Sequence, residues 1–235
     1  MSNMSTNNMP NSNSKRIAAE KAAAYIQDGM TVGLGTGSTA YWAIQEIGKK
    51  VHNGLQIKAV ATSVQSEKLA IDLGIPLSPF SEIAEIDVTI DGADEVDGMW
   101  NLIKGGGGAL LREKIIASSS KELIVVVDES KVVDRLGKFH LPVEVVKFGY
   151  ELTRRKLSAL GCEPKLRLVD QKPYMTDNGN YILDCDFKQI AMPSECHDAI
   201  NSIPGVVDNG LFIGMAAKVI VGYKDGSVKE CYNKP

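Results

Sequence analysis

Two spacings of apolar residues alternate along the first part of the chain. Short apolar runs at 30–34, 57–62, 87–90 and 123–127 are bounded by glycine and polar residues, as buried strands are. Between them, apolar residues recur three and four positions apart. Ala18, Ala22, Tyr25 and Ile26 mark a helix predicted over 14–27, with Ser14 as its cap and Asp28-Gly29 as its stop. Ala40, Ala43, Ile44 and Ile47 mark a second helix. Residues 64–73, closed by Gly74 with Pro76 just beyond, and residues 109–118 give two more. Strand and helix in strict alternation predict an α/β fold: a doubly wound, mostly parallel sheet with helices on both faces.

The order changes after Leu141-Pro142. Strands are expected at 143–146, 165–169, 181–187 and 206–212, with helices at 150–160 and 194–203. That is βαββαβ, the order of a ferredoxin-like α+β small domain. Two last runs, 218–223 and 228–232, flank Lys224-Asp225-Gly226-Ser227 and predict a hairpin that rejoins the first sheet. The expected division is a disordered tail over 1–13, a large α/β domain built from 14–140 and 214–235, and the small domain over 141–213.

Composition narrows the classes of function. A net charge of −3 argues against a nucleic-acid partner, which calls for a basic face. No apolar run approaches the roughly 20 residues that span a bilayer, so no membrane partner is expected. The first 13 residues carry no apolar segment of the kind a secretory signal needs. Cys162, Cys185, Cys196 and Cys231 are scattered, which fits reduced thiols in a cytoplasmic protein. With only His52, His140 and His197, all far apart, neither a metal site nor any other cofactor is expected.

The polar residues then cluster in a telling way. The motifs at 35–39, 91–94, 104–108 and 128–131 each lie at the carboxyl end of an expected strand or in the loop that follows it. In an open α/β sheet that edge is where ligands bind. Gly35-Thr36-Gly37-Ser38-Thr39 sits between a strand and a helix, where glycines allow a tight turn and free amide N–H groups face an anion. It lacks the Gly-Lys-Ser/Thr ending of a P-loop. A GxGxxA dinucleotide turn, and a tight turn that binds nothing, remain open readings. Asp91-Gly92-Ala93-Asp94 and Lys104-Gly105-Gly106-Gly107-Gly108 follow the third strand. Four glycines in a row cost backbone entropy, which suggests close approach of backbone to a ligand. Glu113 lies about one and a half turns into the next helix, where it could face back into the crevice. A shielded carboxylate of that kind suits a general base, and Lys104 and Lys131 suit the stabilisation of developing negative charge. Phosphate cradle, isolated carboxylate and lysines together suggest proton abstraction beside a carbonyl in a small sugar phosphate. The plainer readings are that Asp91 and Asp94 are loop caps, Glu113 and Lys114 a solvated helix face, and Lys131 ordinary surface.

These motifs resemble, in order, those of the ribose-5-phosphate isomerase type A family. The likeness runs on through Gly137-Lys138-Phe139, residues 141–145, Thr176-Asp177-Asn178-Gly179-Asn180 and residues 203–207. It implies interconversion of ribose 5-phosphate and ribulose 5-phosphate through an enediolate, without a metal. It implies Glu113 as the base, Asp91 as the group linked to ring opening, and Asp94 with Lys104 at the C1 and C2 oxygens. Thr36, Gly37, Ser38, Thr39, Gly92, Ala93, Gly105, Gly106, Gly107 and Lys131 are implied to contact substrate, and Lys15 to reach the phosphate. A homodimer or a dimer of dimers is implied as well. The competing expectations are an amino-sugar phosphate deaminase of the same fold and a sugar-phosphate sensor without turnover. A Schiff base at Lys104 is a further chemical possibility.

Overall fold

The computed structural model describes residues 12–232. Of the tail expected over 1–13, residues 1–11 lie outside the described residues, and the remaining two already belong to the first helix. The large unit begins with α1 (Ser12–Ala23), β1 (Thr31–Leu34), α2 (Ser38–His52), β2 (Lys58–Ala61), α3 (Val64–Asp72) and β3 (Ile86–Gly92). A hairpin of β4 (Glu95–Val96) and β5 (Leu102–Ile103) follows, then α4 (Leu110–Ser118) and β6 (Ser120–Asp128). The smaller unit holds β7 (Leu141–Val145), α5 (Tyr150–Ser158), β8 (Glu163–Leu166), β9 (Leu168–Val169), β10 (Lys172–Pro173), β11 (Tyr181–Asp186), α6 (Pro193–Asn201), β12 (Val206–Asn209) and β13 (Leu211–Phe212). The chain closes with β14 (Ala216–Gly222) and β15 (Val228–Tyr232).

The main sheet has the order β15-β14-β6-β3-β1-β2, parallel throughout except for β15 at its edge. Period-two alternation splits its core into two layers. Ile124, Val126 and Ile220 pack with Ala18, Ala22, Ile44 and Ile47 of α1 and α2. Leu123, Val125, Val127, Val219 and Val221 pack on the other face with Ala117 of α4. The final hairpin rejoins this sheet, as the pattern predicted, because β14 pairs in parallel with β6.

The second sheet runs β12-β7-β11-β8, antiparallel throughout. Numbered within its own unit that is 4-1-3-2, the ferredoxin-like order. Three differences from the expected elements have local causes. The first helix ends at Ala23 rather than at residue 27, because the amides of Tyr25 and Ile26 bond three residues back and tighten the last turn. The strand expected over 206–212 is two strands: β12 stays in the small sheet, and β13 leaves it to pair with β5. The loop expected between Asp94 and Lys104 contains the β4–β5 hairpin, so a three-stranded sheet, β13-β5-β4, joins the two units.

Candidate active site

The carboxyl ends of β1, β3 and β6 open onto one cavity. Its walls come from Lys15, Thr36–Thr39, Gly92–Asp94, Lys104–Gly107, Glu113 and Lys131. Fourteen of the fifteen residues singled out from sequence therefore meet in one place, from six separate segments of chain. Asp91 is the exception: it is fully buried behind the cavity floor. A larger groove, of about 490 Å³, runs past Leu77, Phe80 and Ile115, but it gathers no comparable set of charged groups.

Lys104 organises the floor. Its Nζ donates to the Gly92 carbonyl at 2.5 Å and lies 3.0 Å from Asp91 Oδ2 and 3.3 Å from Glu113 Oε1. The Gly92 carbonyl and Glu113 accept hydrogen bonds from it, and Asp91 pairs with it by charge. Asp91 Oδ1 accepts the amides of Thr36, at 3.0 Å, and Gly92, at 2.7 Å, so its carboxylate ties β3 to the turn after β1. That closeness leaves no space for a side chain at residue 35, where a Cβ would stand 2.3 Å from Asp91 Oδ1 and 2.6 Å from its Cα. Glu113 Oε2, also buried, has no hydrogen-bond partner among the described residues.

Burial and charge pull these groups apart in acidity. Burial is the largest influence on Glu113, which is pushed up to about 8; Lys104 opposes the rise, and Asp91 and Asp94 add to it. On Lys104 burial acts in the lowering direction, but Asp91, Glu113 and Asp94 outweigh it and hold the ammonium at about 12. A lysine so firmly protonated is a poor nucleophile, which weighs against a Schiff base there. Asp94 is raised by burial, with the Gly106 amide, 2.7 Å from its Oδ2, and Lys104 working against the rise.

The other end of the cavity brings together a helix start and two lysines. Helix α2 starts at Ser38 with Gly37 as its cap, which offers no side-chain cap bond to the first amides. Lys15 reaches across from α1 to put its Nζ 3.0 Å from Ser38 Oγ. Lys131 arrives on a single turn, Glu129–Lys131, fixed by Asp128 accepting the Ser130 amide at 3.0 Å. Among the described residues no group of three or more His, Cys, Asp or Glu side chains is arranged to hold a metal ion.

Two sets of residues escaped the sequence reading. Thr36 Oγ1 lies 2.7 Å from both Thr62 Oγ1 and Ser63 Oγ and 3.1 Å from Ser66 Oγ, so a buried hydroxyl cluster holds the phosphate-type turn from behind. Thr62-Ser63 follows β2 at the same sheet edge as the other motifs, and that position was the available signal. The second set is Arg167 and Tyr174, which reach over from the smaller unit together with Asp177 of the 176–180 motif, a residue given no site role from sequence. Asp177 Oδ2 accepts the Val64 amide at 2.8 Å, and Arg112, the neighbour of Glu113, donates to the Asp177 carbonyl at 3.0 Å.

The glycine run is explained in part by protein contacts. Gly105 and Gly108 have φ of +100° and +82°, in the left-handed region that side chains disfavour. A Cβ on residue 106 would stand 2.5 Å from Asp94 Oδ1. Backbone conformation and protein contacts thus call for glycine at 105, 106 and 108 without reference to a ligand.

The arrangement has close relatives. A family model described as ribose 5-phosphate isomerase A (phosphoriboisomerase A) matches residues 58–226. A ribose-5-phosphate isomerase A of Bacillus mycoides is 53% identical over 93% of this chain and 99% of its own length. One from Bacillus thuringiensis subsp. konkukian is 56% identical over 90% of this chain and 97% of its own. Among solved structures, ribose 5-phosphate isomerase A from Methanocaldococcus jannaschii superposes with a TM-score of 0.90 at 42% identity, covering 95% of this chain and all of that one. A D-ribose-5-phosphate isomerase in complex with phospho-erythronic acid gives 0.92, also at 42% identity, over 96% of this chain. The chain belongs to the ribose 5-phosphate isomerase A family and is a pentose phosphate isomerase.

Proposed function

We propose that the chain interconverts D-ribose 5-phosphate and D-ribulose 5-phosphate through an enediolate, with Glu113 as the base. The observation that carries this reading is the pairing on the cavity floor: a buried carboxylate with one free oxygen, 3.3 Å from a buried ammonium. Glu113 Oε2 removes the proton from C2 of the open-chain aldose. The C–H electrons form the C1–C2 double bond, and the carbonyl pair moves onto O1. Lys104 faces that developing charge from a site without bulk water, where a fixed cation counts for most. The protonated Glu113 then returns its proton to C1 as O2 becomes the carbonyl. Because one carboxyl both takes and gives the proton, a raised pKa keeps the two directions in balance.

Asp94 borders the cavity, so it is the carboxyl suited to move protons at the ring oxygen and between O1 and O2. Asp91 is enclosed by Lys104 and two amides; its part is to hold Lys104 and the Thr36 turn in place. The phosphate sits at the start of α2, within reach of Lys15 and Lys131. The related isomerase that holds phospho-erythronic acid supports this reading. A sugar acid carries two adjacent oxygens sharing negative charge, as the enediolate does, alongside a phosphate.

Glu113→Gln tests the assignment, since it keeps the shape and loses the base. Turnover of ribose 5-phosphate is expected to fall by about 10²–10⁴-fold. Binding of phospho-erythronic acid, measured by calorimetry, should weaken far less. Wild-type turnover in the variant would refute Glu113 as the base.

A further inference from the structure

Arg167 lies outside the cavity, in the connection between β8 and β9. Its Nε donates to Asp184 Oδ2 at 2.9 Å, and Nη2 donates to Asp184 Oδ1. Asp184 itself is held in the small sheet by β11. The remaining arm, Nη1, donates to two successive carbonyls of the glycine run, Gly105 at 2.9 Å and Gly106 at 3.1 Å. Tyr174, whose ring centre lies 5.8 Å from the guanidinium, sits against Gly108.

Peptide planarity turns these two bonds into a statement about the cavity. In a trans peptide the carbonyl of one residue and the amide N–H of the next point in opposite directions. With the Gly105 carbonyl held by Arg167, the Gly106 N–H points the other way, and it meets Asp94 Oδ2 at 2.7 Å. With the Gly106 carbonyl held as well, the Gly107 N–H is turned away from Arg167, and Gly107 is a wall of the cavity. No acceptor for that N–H exists among the described residues. The first plane is also held within the loop, where the Gly108 N–H donates to the Gly105 carbonyl at 2.9 Å; the Gly106–Gly107 plane has no such bond, and between two glycines it takes its hold from outside. A guanidinium seated on a carboxylate supplies one, because its planar fork fixes donor directions that a lysine leaves loose.

We propose that Arg167, seated on Asp184, is a positioning residue for the isomerisation: it turns the Gly106 N–H onto Asp94 and the Gly107 N–H toward the substrate's carbonyl-end oxygens. The role rests on the isomerase reading above. The smaller unit thereby sets the catalytic geometry of the larger one across their junction.

Three variants and two readouts test this. Arg167→Met keeps length and removes every donor. It should lower kcat by about 10–100-fold while KM changes by less than about threefold, since a misdirected oxyanion donor is lost mainly in the transition state. Arg167→Lys keeps the charge and should lose nearly as much; full activity with lysine would overturn the proposal, because charge alone would then suffice. Asp184→Asn should give a smaller loss in the same direction, and it decides the matter if the methionine variant does not fold. The second readout does not depend on turnover. Amide hydrogen exchange at Gly106 and Gly107 should speed up in the variants while exchange in β6 stays at its wild-type rate. Unchanged exchange at both glycines overturns the positioning role and leaves the isomerase reading intact. Absence of ribose 5-phosphate conversion in the wild-type protein refutes the isomerase reading, and the exchange comparison still decides whether Arg167 holds the loop.

Discussion

Replacing Lys104 by methionine removes a buried cation and keeps most of its volume. Three contacts go at once: the Gly92 carbonyl, Asp91 Oδ2 and Glu113 Oε1. Both carboxylates are at most 4% exposed, so neither gains water in exchange. Stripping one partner from a buried ion pair costs about 3–5 kcal/mol. Glu113 has a way to limit its share of that cost, which is to keep its proton. In the wild type its pKa is pushed up to about 8 by burial, with Lys104 pulling it down. Without Lys104 it rises further. The sign of the pH effect follows. A carboxyl whose folded pKa exceeds its unfolded value favours the folded state at low pH, and that advantage is lost as pH climbs toward the folded pKa. Below about pH 8 both proteins carry a protonated Glu113 when folded, so their difference in unfolding free energy is flat there. Above it, the wild type has already released the proton and the variant has not. The deficit of the variant should therefore widen by up to about 1.4 kcal/mol per pH unit from pH 8 upward. Urea unfolding at pH 6, 7, 8, 9 and 9.5 measures this directly. Turnover at pH 7.5 should drop by at least 10²–10³-fold, because the stabilising cation is gone and the fraction of Glu113 in its basic form, already the smaller one in the wild type, shrinks further. A deficit that stays constant from pH 6 to 9.5, or a variant that turns over like the wild type, would refute the account of the floor.

Two further substitutions probe the ends of the site. Lys15→Ala should raise KM for ribose 5-phosphate by about tenfold, a charge-assisted contact discounted for partial exposure, with kcat little changed; equal KM values for variant and wild type would remove Lys15 from the phosphate site. Gly35→Ala forces a Cβ against the backbone of Asp91 and should cost about 1–3 kcal/mol in urea unfolding, with turnover falling as the Asp91–Lys104 pair shifts; wild-type stability and turnover would show that this approach is looser than it looks.

The sheet edge that carries the site was legible because the chain changes period there. Buried parallel strands read as unbroken apolar runs, so the polar residues that follow β1, β3 and β6 stand out against them. Glu113 was legible as a carboxylate just past the glycines, but the helix starts later than the expected count implied: α4 begins at Leu110, so Glu113 lies in its first turn rather than one and a half turns in, and that is what turns it toward the loop. The β4–β5 hairpin was not. Its strands are two residues each, and its turn depends on Trp100 at a φ of +65°, which composition does not announce. Nor could spacing reveal that Asp91 lies behind the floor while Asp94, three residues on, faces the cavity: the hairpin decides which of the two is exposed. Arg167 carries no local signal at all. Its importance arises from a contact 62 residues away in sequence, made only once the two units meet.

The strand order of the main sheet also sets a timetable for synthesis. Every wall of the cavity has emerged by Lys131, yet one flank of β6 is left open, because its neighbour β14 does not arrive until residues 216–222. Until then an apolar, unpaired parallel edge is presented to whatever lies near it, the arrangement from which aggregation starts. The four strands of the small sheet, in contrast, come from one continuous stretch between Leu141 and Asn209, and can pair while the larger unit waits. A ribosome-bound chain therefore carries a complete set of cavity-lining side chains on an unfinished sheet, and the last strands to be made are the ones that close it.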